Sequence, residues 1–424
     1  MPDTAGTSTG AGRSRPDGRA PWLPAPDTVR RTAAVGLGAA VAVLVGVDGS
    51  PGWQVARVAA VAAWTVLVVV VVERDGWGTL LGAATGAVGL AVTVGFAPHL
   101  LRGGLTTTSA ATAVLGVSSV VLLVSSTRSL LRGRRLPWRL VGWAAALLGS
   151  VLAVLVVAPA VLATNVAPTE LGETPEGRGL RALDVTITTA DGVDLAGWYV
   201  PSTDGAAVVL RHGAGSTRSD VLDQAEVLAR HGYGVLMLDA RGHGASGGRA
   251  MDFGWYGDAD IAAGTSFLAQ RADVEPGRIG LVGMSMGGEE AIGAAGSDPR
   301  VRAVVAEGAT ARTASDKDWL SDEHGVRGAL QEQIERLQYG LTDLLTSASP
   351  PRSLRGAVEA SDARFLLVAA GEVADETASA RHIASGAPDR VEVWTVPGAS
   401  HTGGLATAPQ EWARRVVGFL DAHL

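Results

Sequence analysis

Ser285, His401 and an intervening carboxylate are the side chains of this sequence whose types and order suit covalent chemistry. A serine hydroxyl is a poor nucleophile at neutral pH until a neutral imidazole accepts its proton, and an acid must hold that imidazole in the right tautomer. Ser285 stands in Gly283-Met284-Ser285-Met286-Gly287, after the apolar run Ile279-Gly280-Leu281-Val282 and before a helix-like stretch, Gly288 to Ala295. Glycine two residues either side of the serine lets a strand and a helix meet in the tight turn that lifts a hydroxyl above a sheet. In a chain with 56 glycines among 424 residues, the spacing alone selects nothing. Gly6-Thr7-Ser8-Thr9-Gly10 lies in a polar tail and Gly244-Ala245-Ser246-Gly247-Gly248 in a glycine-rich loop, so only Ser285 has a strand before it and a helix after it.

The expected base is His401, in Val396-Pro397-Gly398-Ala399-Ser400-His401, a loop between the last predicted strand and a terminal helix, Ala408 to Leu424. The acid should come from the loop Gly371-Glu372-Val373-Ala374-Asp375-Glu376 after the strand Phe365 to Ala370. Asp375 is the expected choice, Glu372 its first rival, and Glu307, at the end of the preceding strand, its second. A tetrahedral intermediate also needs two backbone N–H groups aimed at its oxyanion. Met286 should supply one, and Ala214, in His212-Gly213-Ala214-Gly215 after the strand Ala207 to Arg211, the other. His212 itself reads as a loop-bracing residue rather than a second base. Glu289 and Glu290 open the helix after Ser285, where acids complement the positive helix end; the less favoured reading has them bind a substrate amine, as an aminopeptidase requires.

These residues need a sheet to hold them. Two alternating strands, Leu183 to Thr189 and Val193 to Val200, flank Asp191-Gly192 as a hairpin. Apolar runs then alternate with helical patterns: Ala207 to Arg211, Gly234 to Asp239, Ile279 to Gly283, Val301 to Glu307, Phe365 to Ala370 and Val391 to Val396. That order specifies an α/β domain over 183–424, a mostly parallel sheet with helices on both faces. An insert over about 311–355 carries Val326, Leu330, Ile334, Leu337, Leu341 and Leu344 at helical spacing. It predicts an amphipathic helix whose apolar side either caps the active-site mouth or packs on the sheet core, with Trp319 and Tyr339 as candidate pocket residues.

The amino-terminal part is of another kind. Residues 1–28, rich in Gly, Pro, Ser, Thr and Arg, read as a disordered basic tail. Five apolar stretches follow, Val29 to Val47, Trp53 to Val72, Thr79 to Leu101, Leu105 to Ser125 and Leu140 to Leu162, each close to the ~20 residues that cross a hydrocarbon core as a helix. Trp53, Trp77, Trp138 and Trp143 fall near their ends, as interfacial aromatics do. Residues 1–166 carry 13 arginines against 6 acids, whereas 167–424 carry 22 basic and 36 acidic side chains, a contrast expected of a membrane region joined to a water-facing domain. Arg13, Arg15, Arg19, Arg30 and Arg31 before the first stretch, and Arg128, Arg132, Arg134, Arg135 and Arg139 before the fifth, predict cytoplasmic sides there. An odd number of spans then puts the α/β domain outside the cytoplasm, beyond a linker over 163–182. The first stretch also suits a signal segment, which leaves that side unchanged.

Cysteine is absent, which excludes disulfides, thiolate catalysis and cysteine metal sites. The eight histidines show no metal-ligand spacing, so no metal or cofactor is expected, and nucleic acid is an unsuitable partner for the acidic half.

The carboxy-terminal part resembles the α/β-hydrolase superfamily, nearer its serine aminopeptidase and monoacylglycerol-lipase-like branch. The matching pieces are Thr188-Thr189-Ala190-Asp191-Gly192, His212-Gly213, Asp239-Ala240-Arg241-Gly242-His243-Gly244-Ala245-Ser246-Gly247, Gly283-Met284-Ser285-Met286-Gly287 and Gly398-Ala399-Ser400-His401, in the superfamily's order over about 240 residues. The resemblance implies that Asp239 and Arg241 are structural, not catalytic. The acid loop departs from the family's G-x-x-D, since Asp375 is four residues after Gly371. The expectation is a membrane-anchored serine hydrolase that cleaves an ester, thioester or lipid acyl bond, its partner a small or lipid-like acyl substrate. A serine exopeptidase on the same residues is the alternative within enzymes, and a transport or sensing protein with a hydrolase-fold binding module the alternative outside them.

Overall fold

The computed structural model describes residues 25–45, 51–74, 76–102 and 104–424. Most of the expected tail, and the start of the first connection, lie outside these residues. Helix α1 (Pro26–Val45) begins inside the stretch expected as tail; α2 (Pro51–Val71), α3 (Trp77–Gly95), α4 (Ala97–Arg102), α5 (Thr107–Leu130) and α6 (Leu136–Thr164) follow. Five of the six, all but α4, are long and apolar enough to cross a membrane. The third apolar stretch divides into α3 and α4 at Phe96, just before Pro98, whose ring and missing N–H oppose a continuous helix. Packing between these helices is close: a Cβ on Gly86 of α3 would sit 2.6 Å from Leu123 N on α5, the small-residue contact that lets apolar helices associate without a hydrophobic driving force.

The α/β part has strands β1 (Leu183–Thr188), β2 (Asp194–Val200), β3 (Ala207–Arg211), β4 (Gly234–Leu238), β5 (Ile279–Met284), β6 (Val301–Glu307), β7 (Arg364–Ala370) and β8 (Val391–Val396). They form one sheet in the order β1-β2-β4-β3-β5-β6-β7-β8, in which β2 runs antiparallel to both its neighbours and the strands from β4 to β8 are parallel. Ala207, Val208, Val209 and Leu210 of β3 are all completely buried, because helices cover both faces and leave no polar side to alternate with. On one face lie α8 (Gly257–Ala269), α9 (Met286–Ala295), α11 (Leu354–Ala360) and α12 (Glu376–Ala384). On the other lie α7 (Leu222–Arg230) and α14 (Pro409–His423), the latter preceded by the short α13 (Gly404–Thr407).

The remaining helix, α10 (Leu320–Leu345), turns at Gly325 and then runs outside the sheet layers. Its apolar side does not pack on the sheet core, one of the two sequence expectations: Val326 is 89%, Leu330 64%, Leu337 60% and Leu344 78% exposed. The inward side is polar or aromatic. Glu332 accepts from Ser321 N (2.7 Å) and Tyr339 donates to Ala311 O (3.3 Å) while packing against Phe253. The two parts of the chain are fastened along α6: Gln338 Nε2 donates to Leu155 O (2.6 Å), Asp252 N to Ala163 O (2.8 Å) and Arg249 to Thr164 O (2.7 Å).

Candidate active site

Ser285 is the first residue after β5 and the last before α9, at φ 53° and ψ −121°. A non-glycine residue at such angles is strained, and the strain is held by surrounding bonds. Ser285 N donates to Glu307 O on β6 (2.7 Å), and Ser285 O accepts from Gly288 N (2.8 Å) in the first turn of α9. The crossing is so tight that a Cβ on Gly287 would lie 2.6 Å from the carbonyl oxygens of Arg211 and His212, and one on Gly283 2.2 Å from Gly287 O. Glycine at both positions is therefore a requirement of packing, as the sequence pattern implies.

His401 Nε2 lies 2.8 Å from Ser285 Oγ. The carboxylate against its other nitrogen is Glu376, with Oε1 2.5 Å from His401 Nδ1. Asp375, the expected acid, is one residue short: it occupies the cap position before α12, and its Oδ1 lies 3.3 Å from His324 Nε2 on α10. Glu376 is the first helical residue, 2% exposed, and its Oε2 accepts from Ala370 N at the end of β7 (2.7 Å). The other rivals are also elsewhere. Glu372 is exposed, and Glu307 accepts from Gly404 N (2.7 Å) and Trp412 Nε1 (2.8 Å), bracing the segment after His401.

With an ionised carboxylate at Nδ1, that nitrogen carries the proton and donates, leaving the Nε2 lone pair to accept from the Ser285 hydroxyl. The Glu376 hydrogen bond raises the His401 pKa above its ordinary value, against the opposing effect of burial. The three groups stand beyond the carboxyl ends of β5, β7 and β8, where open parallel sheets place their sites. The β3 loop reaches the same point: a Cβ on Gly213 would lie 3.2 Å from Ser285 Cβ, with the exposed Ala214 next along it. Met286, the other expected oxyanion donor, opens α9 directly after Ser285.

Nearby polar residues are committed to structure. His212 is fully buried and its Nε2 accepts from Ala240 N (2.9 Å), so Nδ1 carries the proton toward Gly213 O (2.8 Å). Burial lowers its pKa well below the usual value and keeps it neutral. Asp239 accepts from Arg218 N, Arg218 Nη1 and Ala245 N, and Arg241 pairs with Asp191 and Asp260. Glu289 accepts from Thr310 N (3.0 Å) and Ala311 N (2.9 Å), and Glu290 pairs with the buried Arg211. Burial raises both glutamates' pKa values, and neither points a free carboxylate at the site. Among the described residues no group of three or more His, Asp or Glu is placed to hold a metal ion.

Residues 203–363 match the sequence profile of the family described as serine aminopeptidase, S33. An uncharacterized protein of Mycobacterium tuberculosis is 37% identical over 134 residues, 31% of this chain and 45% of that protein. The thiohydrolase aneE of Aspergillus aculeatus is 35% identical over 131 residues, 29% of this chain and 40% of that protein. The chain thus spans less than half the length of these curated relatives. Among solved structures, the esterase Pf2001 of Pyrococcus furiosus aligns at TM-score 0.49 and 24% identity, over 60% of this chain and 97% of that one. From the order and direction of its eight strands and the profile match across its centre, the domain built on β1–β8 has the α/β-hydrolase fold.

Proposed function

We propose that this hydrolase is a membrane-anchored serine enzyme that cleaves an ester, thioester or lipid acyl bond through an acyl-enzyme. The observation that carries the reading is the continuous line from Ser285 Oγ through His401 to Glu376, at 2.8 and 2.5 Å. Ser285 Oγ attacks the acyl carbonyl while its proton passes to His401 Nε2, and Glu376 stabilises the imidazolium that forms. The carbonyl π electrons move onto the oxygen, which the N–H groups of Met286 and the Gly213-Ala214 loop are suited to receive. Collapse of the intermediate expels the alcohol or thiol with the proton from His401. Water, deprotonated by the same imidazole, then releases the acid and restores Ser285. The commitment of Glu289 and Glu290 to buried partners favours acyl esters over amino-terminal peptides.

Labelling with a fluorophosphonate tests the nucleophile: wild type should react, whereas Ser285→Ala and His401→Ala should not. Equal labelling of Ser285→Ala would remove the assignment. Acyl esters of graded chain length, set against aminoacyl amides, separate esterase from peptidase. The arginines flanking α1 and α6 support an extracytoplasmic hydrolase domain at the end of an odd number of spans. A reporter active only in the cytoplasm, fused after Leu424, should then stay silent, and a strong signal would reverse the orientation.

A further inference from the structure

The exposed apolar stripe of helix α10 calls for an apolar partner that the sheet core does not provide. At 100° per residue, Val326, Leu330, Leu337 and Leu344 fall within about 40° of one another, a single stripe along the helix, and all four are more than half exposed. Glu332, Glu335, Arg336 and Asp343 lie on the opposite half of the wheel. Past the turn at Gly325, the charged residue nearest the stripe is Arg327, about 60° beyond its edge and near the amino-terminal end, where a long side chain can reach past an apolar boundary.

The position of α10 names the partner. The helix packs against α6, joined by Gln338 Nε2 to Leu155 O, and its Leu345 packs onto the core of the amino-terminal bundle. Leu147, Leu148, Val151, Leu152 and Leu155 of α6 are themselves 45–67% exposed, so the stripe continues an apolar surface already present on a candidate span. Depth follows from length. Measured from the exposed Trp138, Leu155 is about 26 Å along α6 and Thr164 about 39 Å, against a hydrocarbon core of ~30 Å. With Trp138 at one interface, Gln338 meets α6 just inside the opposite edge of the hydrocarbon, while the segment that binds Arg249 and Asp252 lies beyond it.

We infer that the Val326–Leu344 stripe of α10 is seated in the lipid bilayer, at the boundary between acyl chains and headgroups of the leaflet beside the hydrolase domain, as amphipathic interfacial helices lie. The inference rests on the membrane-spanning reading of α6. It also bears on substrate supply. The start of α10 is tied to the cap of α12, next to Glu376, through His324 and Asp375, so a bilayer-seated α10 brings the active-site mouth down to the leaflet, where a lipid-borne acyl ester would reach Ser285 without crossing water.

The natural lack of cysteine makes the test direct. Single variants Leu330→Cys, Leu337→Cys, Arg336→Cys and Leu148→Cys of the full chain, labelled with an NBD fluorophore and reconstituted in phosphatidylcholine nanodiscs, are compared for quenching by brominated lipid and by aqueous iodide. Positions 330, 337 and 148 should be quenched by brominated lipid at least threefold more than position 336, with iodide giving the reverse. Lipid quenching at 148 but iodide quenching at 330 and 337 would overturn the seat of α10 while leaving the span of α6 intact. Loss of lipid quenching at 148 as well would remove the span and the inference together. Lipid quenching at 336 equal to that at 330 would also overturn it, as would energy transfer between differently labelled copies without lipid quenching, which would assign the stripe to a second copy of this chain.

Discussion

Replacing Glu376 by glutamine is the sharpest test of the site, because its neighbour Asp375 supplies the control. The Glu376 carboxylate receives two N–H groups, from His401 Nδ1 at 2.5 Å and Ala370 N at 2.7 Å, in a position only 2% exposed. Glutamine offers one accepting and one donating arm to two donors, so one contact must set N–H against N–H. If the amide NH2 turns to His401, the ring is driven to the tautomer protonated on Nε2, which donates to Ser285 Oγ instead of accepting from it. The equivalent loss in the well-studied serine protease triad lowers kcat by about 10⁴, about 5.4 kcal/mol of transition-state stabilisation. Asp375→Asn alters a half-exposed pair with His324 at 3.3 Å, worth about 0–1 kcal/mol, less than about a fivefold change in rate. The assay is kcat/KM for p-nitrophenyl butyrate with the full chain in nanodiscs, and circular dichroism confirms that each variant is folded. Retention of activity within tenfold in Glu376→Gln, with a thousandfold loss in Asp375→Asn, would refute the assignment and restore the aspartate.

Other outcomes follow from the same contacts. His401 must be neutral to accept the Ser285 proton and its pKa is raised first by Glu376, so kcat/KM should fall as pH drops through that raised value. In Glu376→Gln the acid limb of the pH profile should move to lower pH, and a move upward would sink this account. Gly287→Ala would press a Cβ to 2.6 Å from two backbone oxygens, costing about 1–3 kcal/mol of stability. Chemical denaturation should show that loss, with fluorophosphonate labelling reduced even where the protein remains folded. Arg211→Met would strand Glu290, whose Oε2 now receives two bonds from a fully buried guanidinium; the expected cost is about 3–5 kcal/mol at neutral pH. Burial already raises the Glu290 pKa, so protonation favours the folded form of that variant. Its deficit should shrink as pH falls through the folded-state value, and an unchanged deficit would show that the charge is not its source.

The legible parts of the molecule are those where one residue type answers one physical demand. Strands β3 and β6 coincide with the apolar runs that announce them, since a strand covered on both faces has little polar alternation to confuse it. Ser285 is recoverable because the turn that exposes it needs glycine at 283 and 287, and the two decoy runs lack a flanking strand. The acid is different. Asp375 and Glu376 are adjacent, of equal charge, and both near the start of α12; what separates them is direction. The cap residue points to α10 and the first helical residue to the ends of β7 and β8. Backbone direction at a helix start depends on how the loop enters, which the spacing from Gly371 does not encode.

Helix α10 shows a second limit of pattern, and a more general one. Spacing at Val326, Leu330, Ile334, Leu337, Leu341 and Leu344 establishes a helix with an apolar side, and in a chain with a single apolar interior that side would have to meet the core. On the membrane-spanning reading of the five long apolar helices, this chain has two apolar phases available, the sheet core and the hydrocarbon around those helices. Periodicity reports that a face seeks an apolar phase, not which one. The inward residues carry the distinguishing information: Tyr339 donates to Ala311 O and packs on Phe253 on the domain side, and Glu332 ties the helix back to Ser321 N across the turn at Gly325, so a helix rotated to bury its leucines there would forfeit these contacts and turn the charged half, Glu335, Arg336 and Asp343, away from the domain. The hydrogen-bonding of the polar face therefore sets the orientation, and the apolar face is left to the remaining phase.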